Sequence, residues 1–258
     1  MDHGIASISI IPVMQKPTHD SEMVSQLLFG ETYSVTEYEK DWLKIQMHFD
    51  NYTGFISINQ HLAITNQWLN LIQTTQRWYA AELMQTVTNH DITFPILIGS
   101  ELHEFDGINF TIGKDRLVYT GDTLPDNGEY RQRDFINKFS KKFLNAPYLW
   151  GGRSPFGVDC SGLVQVVFKI CGVQLPRDAY QQAEAGSVVN FILEAQPGDL
   201  CFFDNGNDKI VHVGILLKDQ KIIHASGKVR IDPIDHYGIY NSAIKKYSHK
   251  LRIIKRVL

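Results

Sequence analysis

Asp159-Cys160-Ser161-Gly162-Leu163-Val164-Gln165-Val166-Val167-Phe168-Lys169-Ile170-Cys171-Gly172 reads as a helix that begins on a cysteine. Leu163, Val164, Val167 and Ile170 recur from Cys160 with the period of one helical face, and Gly172 supplies a C-terminal stop. At a helix N-terminus, unsatisfied N–H groups and the positive end of the macrodipole favour thiolate. With a nearby cation they move a cysteine pKa from ~8.5 into the ~3.5–7.5 range. The same position suits an inert cysteine packed as a small hydrophobe. What separates the two is a base within hydrogen-bond reach and a group that orients that base.

Two histidines meet that requirement. Val211-His212-Val213-Gly214-Ile215-Leu216-Leu217 and Lys221-Ile222-Ile223-His224-Ala225 read as the arms of a hairpin around Lys218-Asp219-Gln220. With that three-residue loop Leu217 pairs with Lys221, so His212 faces Ser226 and His224 faces Gly214. The two histidines are then diagonal neighbours on one face, roughly 7–8 Å apart at the backbone. A two-residue loop would put them on opposite faces unless a bulge intervened. Taken singly, each also fits a satisfied polar residue on a half-buried strand. Zinc held by Cys160, His212 and His224 with a water is the other chemical reading, against which stands the lack of short ligand spacings. His236 is the other histidine expected near this face.

The 258 residues exceed the usual single domain, and 43% hydrophobic with 21% charged residues describe a globular chain able to bury real cores. A formal net charge of -3 leaves no basic footprint for nucleic acid, and no ~18-residue apolar run is present to span a bilayer. Three cysteines and no CxxC disfavour a disulfide framework and a thioredoxin-type site. Met1-Asp2-His3-Gly4-Ile5 has neither the cationic nor the apolar region of an export signal, so the expected location is cytoplasmic. No cofactor is expected.

Residues 1–60 carry short runs broken by turns, such as Ile8-Ser9-Ile10-Ile11, Leu43-Lys44-Ile45 and Gly54-Phe55-Ile56, the pattern of a small β-barrel. Within a second expected β unit, 61–125, residues 61–90 are ambiguous: Trp68, Leu69 and Ile72 fit a helical stripe, while Thr74, Thr75, Thr86 and Thr88 favour strands. Phe94-Pro95-Ile96-Leu97-Ile98 and Leu117-Val118-Tyr119 then read as strands. A third domain spans 126–258, opening with Phe135, Ile136, Phe139 and Phe143 on one face of an amphipathic helix that Asn145-Ala146-Pro147 ends.

Pro147-Tyr148-Leu149-Trp150-Gly151-Gly152, Asp159-Cys160-Ser161-Gly162, Pro197-Gly198-Asp199-Leu200, His212-Val213-Gly214 and His224-Ala225-Ser226, in that order, resemble the signatures of NlpC family papain-like cysteine peptidases. Ser25-Gln26-Leu27-Leu28-Phe29-Gly30-Glu31 resembles the bacterial SH3-like domains that precede such peptidases. The resemblance implies an α+β fold, an antiparallel sheet packed on helices and preceded by small SH3-like β-barrels. It implies Cys160 as nucleophile, His212 as base and His224 as orienting residue, with Tyr148 joining the Cys160 N–H at the oxyanion. Asp159, Ser161, Arg177 and Asp178 match positions that line the substrate pocket, although Asp178 is equally a helix N-cap. Ala179 stands where relatives often carry serine. Glu22 and Tyr52, by position, are implied partners of a substrate ammonium, with Asp159 contributing. The implied substrates are murein tripeptides or tetrapeptides with a free N-terminal L-Ala, cut after γ-D-glutamate; the diamino acid and the oligomeric state stay open. A catalytically dead wall-peptide binding module and a papain-like amidase or acyltransferase are the alternatives.

Overall fold

The computed structural model describes residues 2–206 and 208–258. The chain forms two compact units, Met1–Tyr130 with Trp150–Pro155, and Arg131–Leu149 with Phe156–Leu258.

In the first unit, seven strands between Asp2 and Ile64 form one sheet. Alternation decides which side chains go inward. Leu43, Ile45 and Met47 of the strand Trp42–Met47 are buried with Ile11, Val13, Leu27, Tyr33 and Ile56, while Lys44 and Gln46 between them are only half-buried. A four-stranded and a three-stranded sheet follow, with Val87, Ile96, Phe110, Leu117 and Tyr119 in a core that also takes Ile5 and Phe29. Pro95 is tolerated because its strand, Thr93–Leu97, lies at a sheet edge. The ambiguous stretch holds both element types. Thr65 caps the helix Asn66–Thr74 by accepting the Trp68 N–H at 3.1 Å, Leu69 and Ile72 are its buried face, and Thr86 and Thr88 lie in the strand Met84–Thr88. Residues 150–155 belong to this unit through Arg153, fully buried and paired with Glu31 at 2.7 Å.

In the second unit the helix Arg133–Lys142 buries Ile136 and Phe139, as its periodicity predicts. The helix Cys160–Ile170 is buried on every side, which fits its nearly continuous apolar sequence. Against it lies an antiparallel sheet whose order runs Ser187–Val189, Lys246–Arg256, Leu200–Asp204, Ile210–Leu217, Lys221–Ser226, Lys228–Pro233. The Pro197-Gly198-Asp199-Leu200 signature has a structural explanation. The Asp199 carboxylate accepts from Arg133 at 3.0 Å, from Arg256 at 2.8 Å and from the Gln196 N–H at 2.8 Å, tying the first helix to the last strand.

The histidine hairpin has the three-residue loop. Leu217 pairs with Lys221 and Ile215 with Ile223, while Asp219 and Gln220 take left-handed φ values of 58° and 51° to close the turn. Gly214 is required by close approach: a Cβ there would lie 2.7 Å from Ile222 and 3.0 Å from the His224 Cβ. Gly214→Ala is expected to cost about 1–3 kcal/mol in a denaturant melt and to lower turnover by displacing His224. Unchanged stability together with unchanged turnover would contradict this packing.

Candidate active site

The start of the helix Cys160–Ile170 is held by charge. Asp159 is its N-cap, its Oδ1 accepting the Gly162 N–H at 2.7 Å. Buried Arg177 grips both Asp159 oxygens, at 3.0 and 2.5 Å, and donates to the Ser161 hydroxyl at 2.9 Å. Three of the residues expected to line the pocket thus build the platform for Cys160. Asp178 precedes the short helix Ala179–Gln182, and its own N–H donates to the Gln181 side chain at 3.2 Å, in keeping with the N-cap reading.

The Cys160 sulfur receives backbone N–H groups from Val213 and Ser161. Val213 follows His212 directly, so this contact places the strand that carries His212 against the thiol. Burial pushes the Cys160 thiol up to about 12, and the Asp159 charge adds to that; Arg177 and the two N–H groups only moderate it. The helix N-terminus alone argued for a standing thiolate. With Cys160 only 6% exposed, desolvation wins and the resting group is a thiol.

His212 and His224 point to the same face, as the loop length requires. His212 Nε2 lies 2.9 Å from His224 Nδ1, and His224 Nε2 lies 3.0 Å from Asp232 Oδ2. Arg230 closes the chain with contacts of 2.6 and 2.8 Å to the same carboxylate. Against the desolvation that would raise it, hydrogen bonds from His224 and Arg230 hold Asp232 below the usual carboxylate range. For a relay of neutral imidazoles these contacts set the tautomers. An ionised Asp232 only accepts, so His224 carries its proton on Nε2 and accepts at Nδ1. His212 therefore donates from Nε2 and keeps its lone pair on Nδ1, the nitrogen left to serve a thiol. Burial, then His249 and His224, push His212 well below 6.5, so it rests as neutral imidazole.

Sequence reading missed Asp232 and His249. The histidine beside the relay is His249, not His236: its ring lies on His212 with centroids 4.1 Å apart at 23°, whereas His236 packs on Tyr237. Ligand nitrogens of His212, His224 and His249 lie within 4.8 Å of one another, a distance compatible with an ion. Orientation argues otherwise. The 2.9 Å His212–His224 spacing is that of a hydrogen bond, and near-parallel stacked rings cannot both aim in-plane lone pairs at a common tetrahedral centre.

Tyr148 is half-buried beside Val158, and burial above all, with an ionised Cys160 and the Asp159 charge adding to it, raises its hydroxyl to about 12, so it is a donor at neutral pH. Cys171 and Cys201 are buried thiols raised by desolvation. Glu22 and Tyr52 lie in the first unit. Glu22 Oε1 accepts the Trp150 indole N–H at 2.5 Å, and half-buried Tyr52 packs on the core of the first sheet. No helix among the described residues is long and apolar enough to cross a membrane.

A buried thiol, an imidazole with a fixed tautomer, a carboxylate behind it and a phenolic donor can together carry out acyl transfer through a thioester. Comparison with known proteins agrees with that chemistry. The NlpC/P60 family model matches residues 145–248, and the bacterial dipeptidyl-peptidase SH3 domain model matches residues 13–60. A gamma-D-glutamyl-L-lysine dipeptidyl-peptidase of Bacillus subtilis is 30% identical over 80% of this chain and 73% of its own length. Dipeptidyl-peptidase 6 of Lysinibacillus sphaericus is 27% identical over 85% of this chain and 87% of its own. The crystal structure of an NlpC/P60 family protein from Bacillus cereus superposes with a TM-score of 0.82 over 99% of both chains, at 20% identity.

Proposed function

Because this chain belongs to the NlpC/P60 family of cysteine peptidases, we propose that it hydrolyses the γ-D-glutamyl bond to the diamino acid in short murein peptides that begin with a free L-Ala. The observation that carries this reading is the unbroken hydrogen-bonded relay from His212 through His224 to Asp232, on the strand whose Val213 N–H meets the Cys160 sulfur. A binding module that had lost catalysis would have no use for so complete a relay.

In the proposed reaction His212 Nδ1 takes the thiol proton as Cys160 Sγ attacks the carbonyl carbon. The oxyanion is held by the Cys160 N–H and the Tyr148 hydroxyl. His212 returns the proton to the departing amine, leaving a γ-glutamyl thioester. A water, deprotonated in turn by His212, then cleaves the thioester.

Two relatives are named for the γ-D-glutamyl-L-lysine bond, and a dipeptidyl-peptidase counts its cut from an N-terminal residue, which supports a free amine as a requirement. Glu22 and Tyr52, with Asp159, are the amine's proposed partners by sequence position. A charge taken out of water needs such acceptors, and a charge-assisted hydrogen bond contributes ~1.5–3 kcal/mol. Glu22→Ala is thus expected to lower turnover of L-Ala-γ-D-Glu-diamino acid peptides roughly ten- to a hundredfold, and N-acetylation of the substrate at least as much. Mass spectrometry of defined muropeptides, free and acetylated, with lysine or diaminopimelate in third position, tests both. Equal rates on free and acetylated peptides would refute the amine requirement, and transfer without hydrolysis would point to an acyltransferase.

A further inference from the structure

We infer that His249 is a positioning residue of this site: its imidazole lies flat on that of His212 and holds that ring in the plane from which Nδ1 meets the Cys160 sulfur. The inference rests on the reading of Cys160 and His212 as nucleophile and base, but not on the identity of the peptide.

The reason is geometric. A shuttling imidazole must aim two in-plane nitrogens at once, Nε2 at His224 and Nδ1 at the thiol, and the ring torsion of histidine is broad and soft. The 2.9 Å hydrogen bond to His224 fixes one direction and leaves rotation about that bond open. Phe203 is 5.7 Å away and tilted by 46°, and the His224 ring meets His212 edge-on at 85°, so neither covers a face squarely. His249 does, at 4.1 Å and 23°. It comes from a different element, the final strand Lys246–Arg256, with its Nδ1 2.9 Å from the Ser248 hydroxyl.

The stack suits the chemistry because it adds a ring without adding a charge. The groups that face His249 are Phe203 on the adjacent strand, His212 and His224 on the two strands beyond it, Asp232 acting through space, and Ser248 beside it. Burial, then His224, lower His249 to about 4, with Asp232 opposing, so at neutral pH it is an uncharged face for His212 when the latter becomes imidazolium. Once protonated it would repel that imidazolium.

The test measures iodoacetamide alkylation of Cys160 against pH, which reports the thiol–imidazole pair without any substrate, together with kcat and KM on a defined muropeptide. His249→Ala is expected to slow alkylation at pH 7 about tenfold and to lower kcat by a similar factor with KM nearly unchanged. His249→Phe, which keeps a flat ring and cannot ionise, should restore alkylation to within about twofold of wild type and fall less steeply below pH ~5. Alkylation at the wild-type rate in His249→Ala, or His249→Phe as slow as His249→Ala, overturns the inference. If the alanine variant does not fold, His249→Phe decides alone: near-normal alkylation with the shallower acid limb supports the role, and slow alkylation refutes it. Should the alkylation pattern hold while no muropeptide is cut, the proposed substrate fails and the role of His249 stands.

Discussion

Cys160→Ala is expected to leave no measurable cleavage of γ-D-glutamyl peptides, and His212→Ala to cost on the order of 10⁴-fold or more in kcat/KM. Burial makes the second loss severe. A free cysteine in water ionises by itself near pH 8.5, but this thiol sits near 12 and needs a base to remove its proton at the moment of attack. Without His212 the leaving amine also lacks its proton donor. Cys171→Ala and Cys201→Ala should keep kcat within a few-fold, because neither thiol joins the relay. The pH dependence follows from the directions of the shifts. A base pushed below 6.5 stays unprotonated to lower pH than an exposed histidine, so the acid limb of kcat/KM should fall below pH ~6.5. Iodoacetamide labelling with peptide mapping gives an independent check, and modification of Cys171 or Cys201 ahead of Cys160 would sink the assignment.

The readable part of this site was local. The apolar period after Cys160 locates the helix, and loop length alone sets the register that brings His212 and His224 to one face. The same reasoning, carried one turn further, would have found the missed Asp232. Ser226-Gly227-Lys228 is a turn, His224 pairs with Arg230 across it, and Asp232 is the next residue on that face. His249 left no comparable trace. It lies on the final strand, whose pairing with Leu200–Asp204 is interrupted by a register shift, so alternation from the hairpin cannot be carried to it. The cysteine's protonation state was misjudged for a related reason. The helix dipole is a property of local sequence, whereas desolvation depends on everything packed above the sulfur. Between 61 and 90 the helical stripe of Trp68, Leu69 and Ile72 and the strand signal of Thr86 and Thr88 were genuine, whereas Thr74 ends the helix and Thr75 is its C-cap, so neither marks a strand.

His224 is where the tautomer argument yields its largest effect. His224→Ala removes the acceptor that keeps the His212 proton on Nε2, and the His212 ring is then free to present either nitrogen to the thiol. Loss of the orienting partner of a catalytic base costs on the order of 10²–10⁴-fold. His224→Asn should behave differently. Its amide oxygen occupies about the place of the imidazole Nδ1 and can only accept, so it preserves the one contact that His212 requires and keeps activity within roughly tenfold of wild type. Asp232 then becomes informative. In the wild type its carboxylate, hydrogen-bonded to His224 Nε2 at 3.0 Å, is what selects the tautomer of His224. An asparagine has no tautomer to select. Asp232→Ala should therefore cost about tenfold or more in the wild-type background and much less in His224→Asn, a non-additive pair in a double-mutant cycle. Equal costs in both backgrounds would mean that Asp232 acts on stability or charge rather than through the proton on His224. An asparagine variant as poor as the alanine one would mean that the second imidazole does more than accept a hydrogen bond.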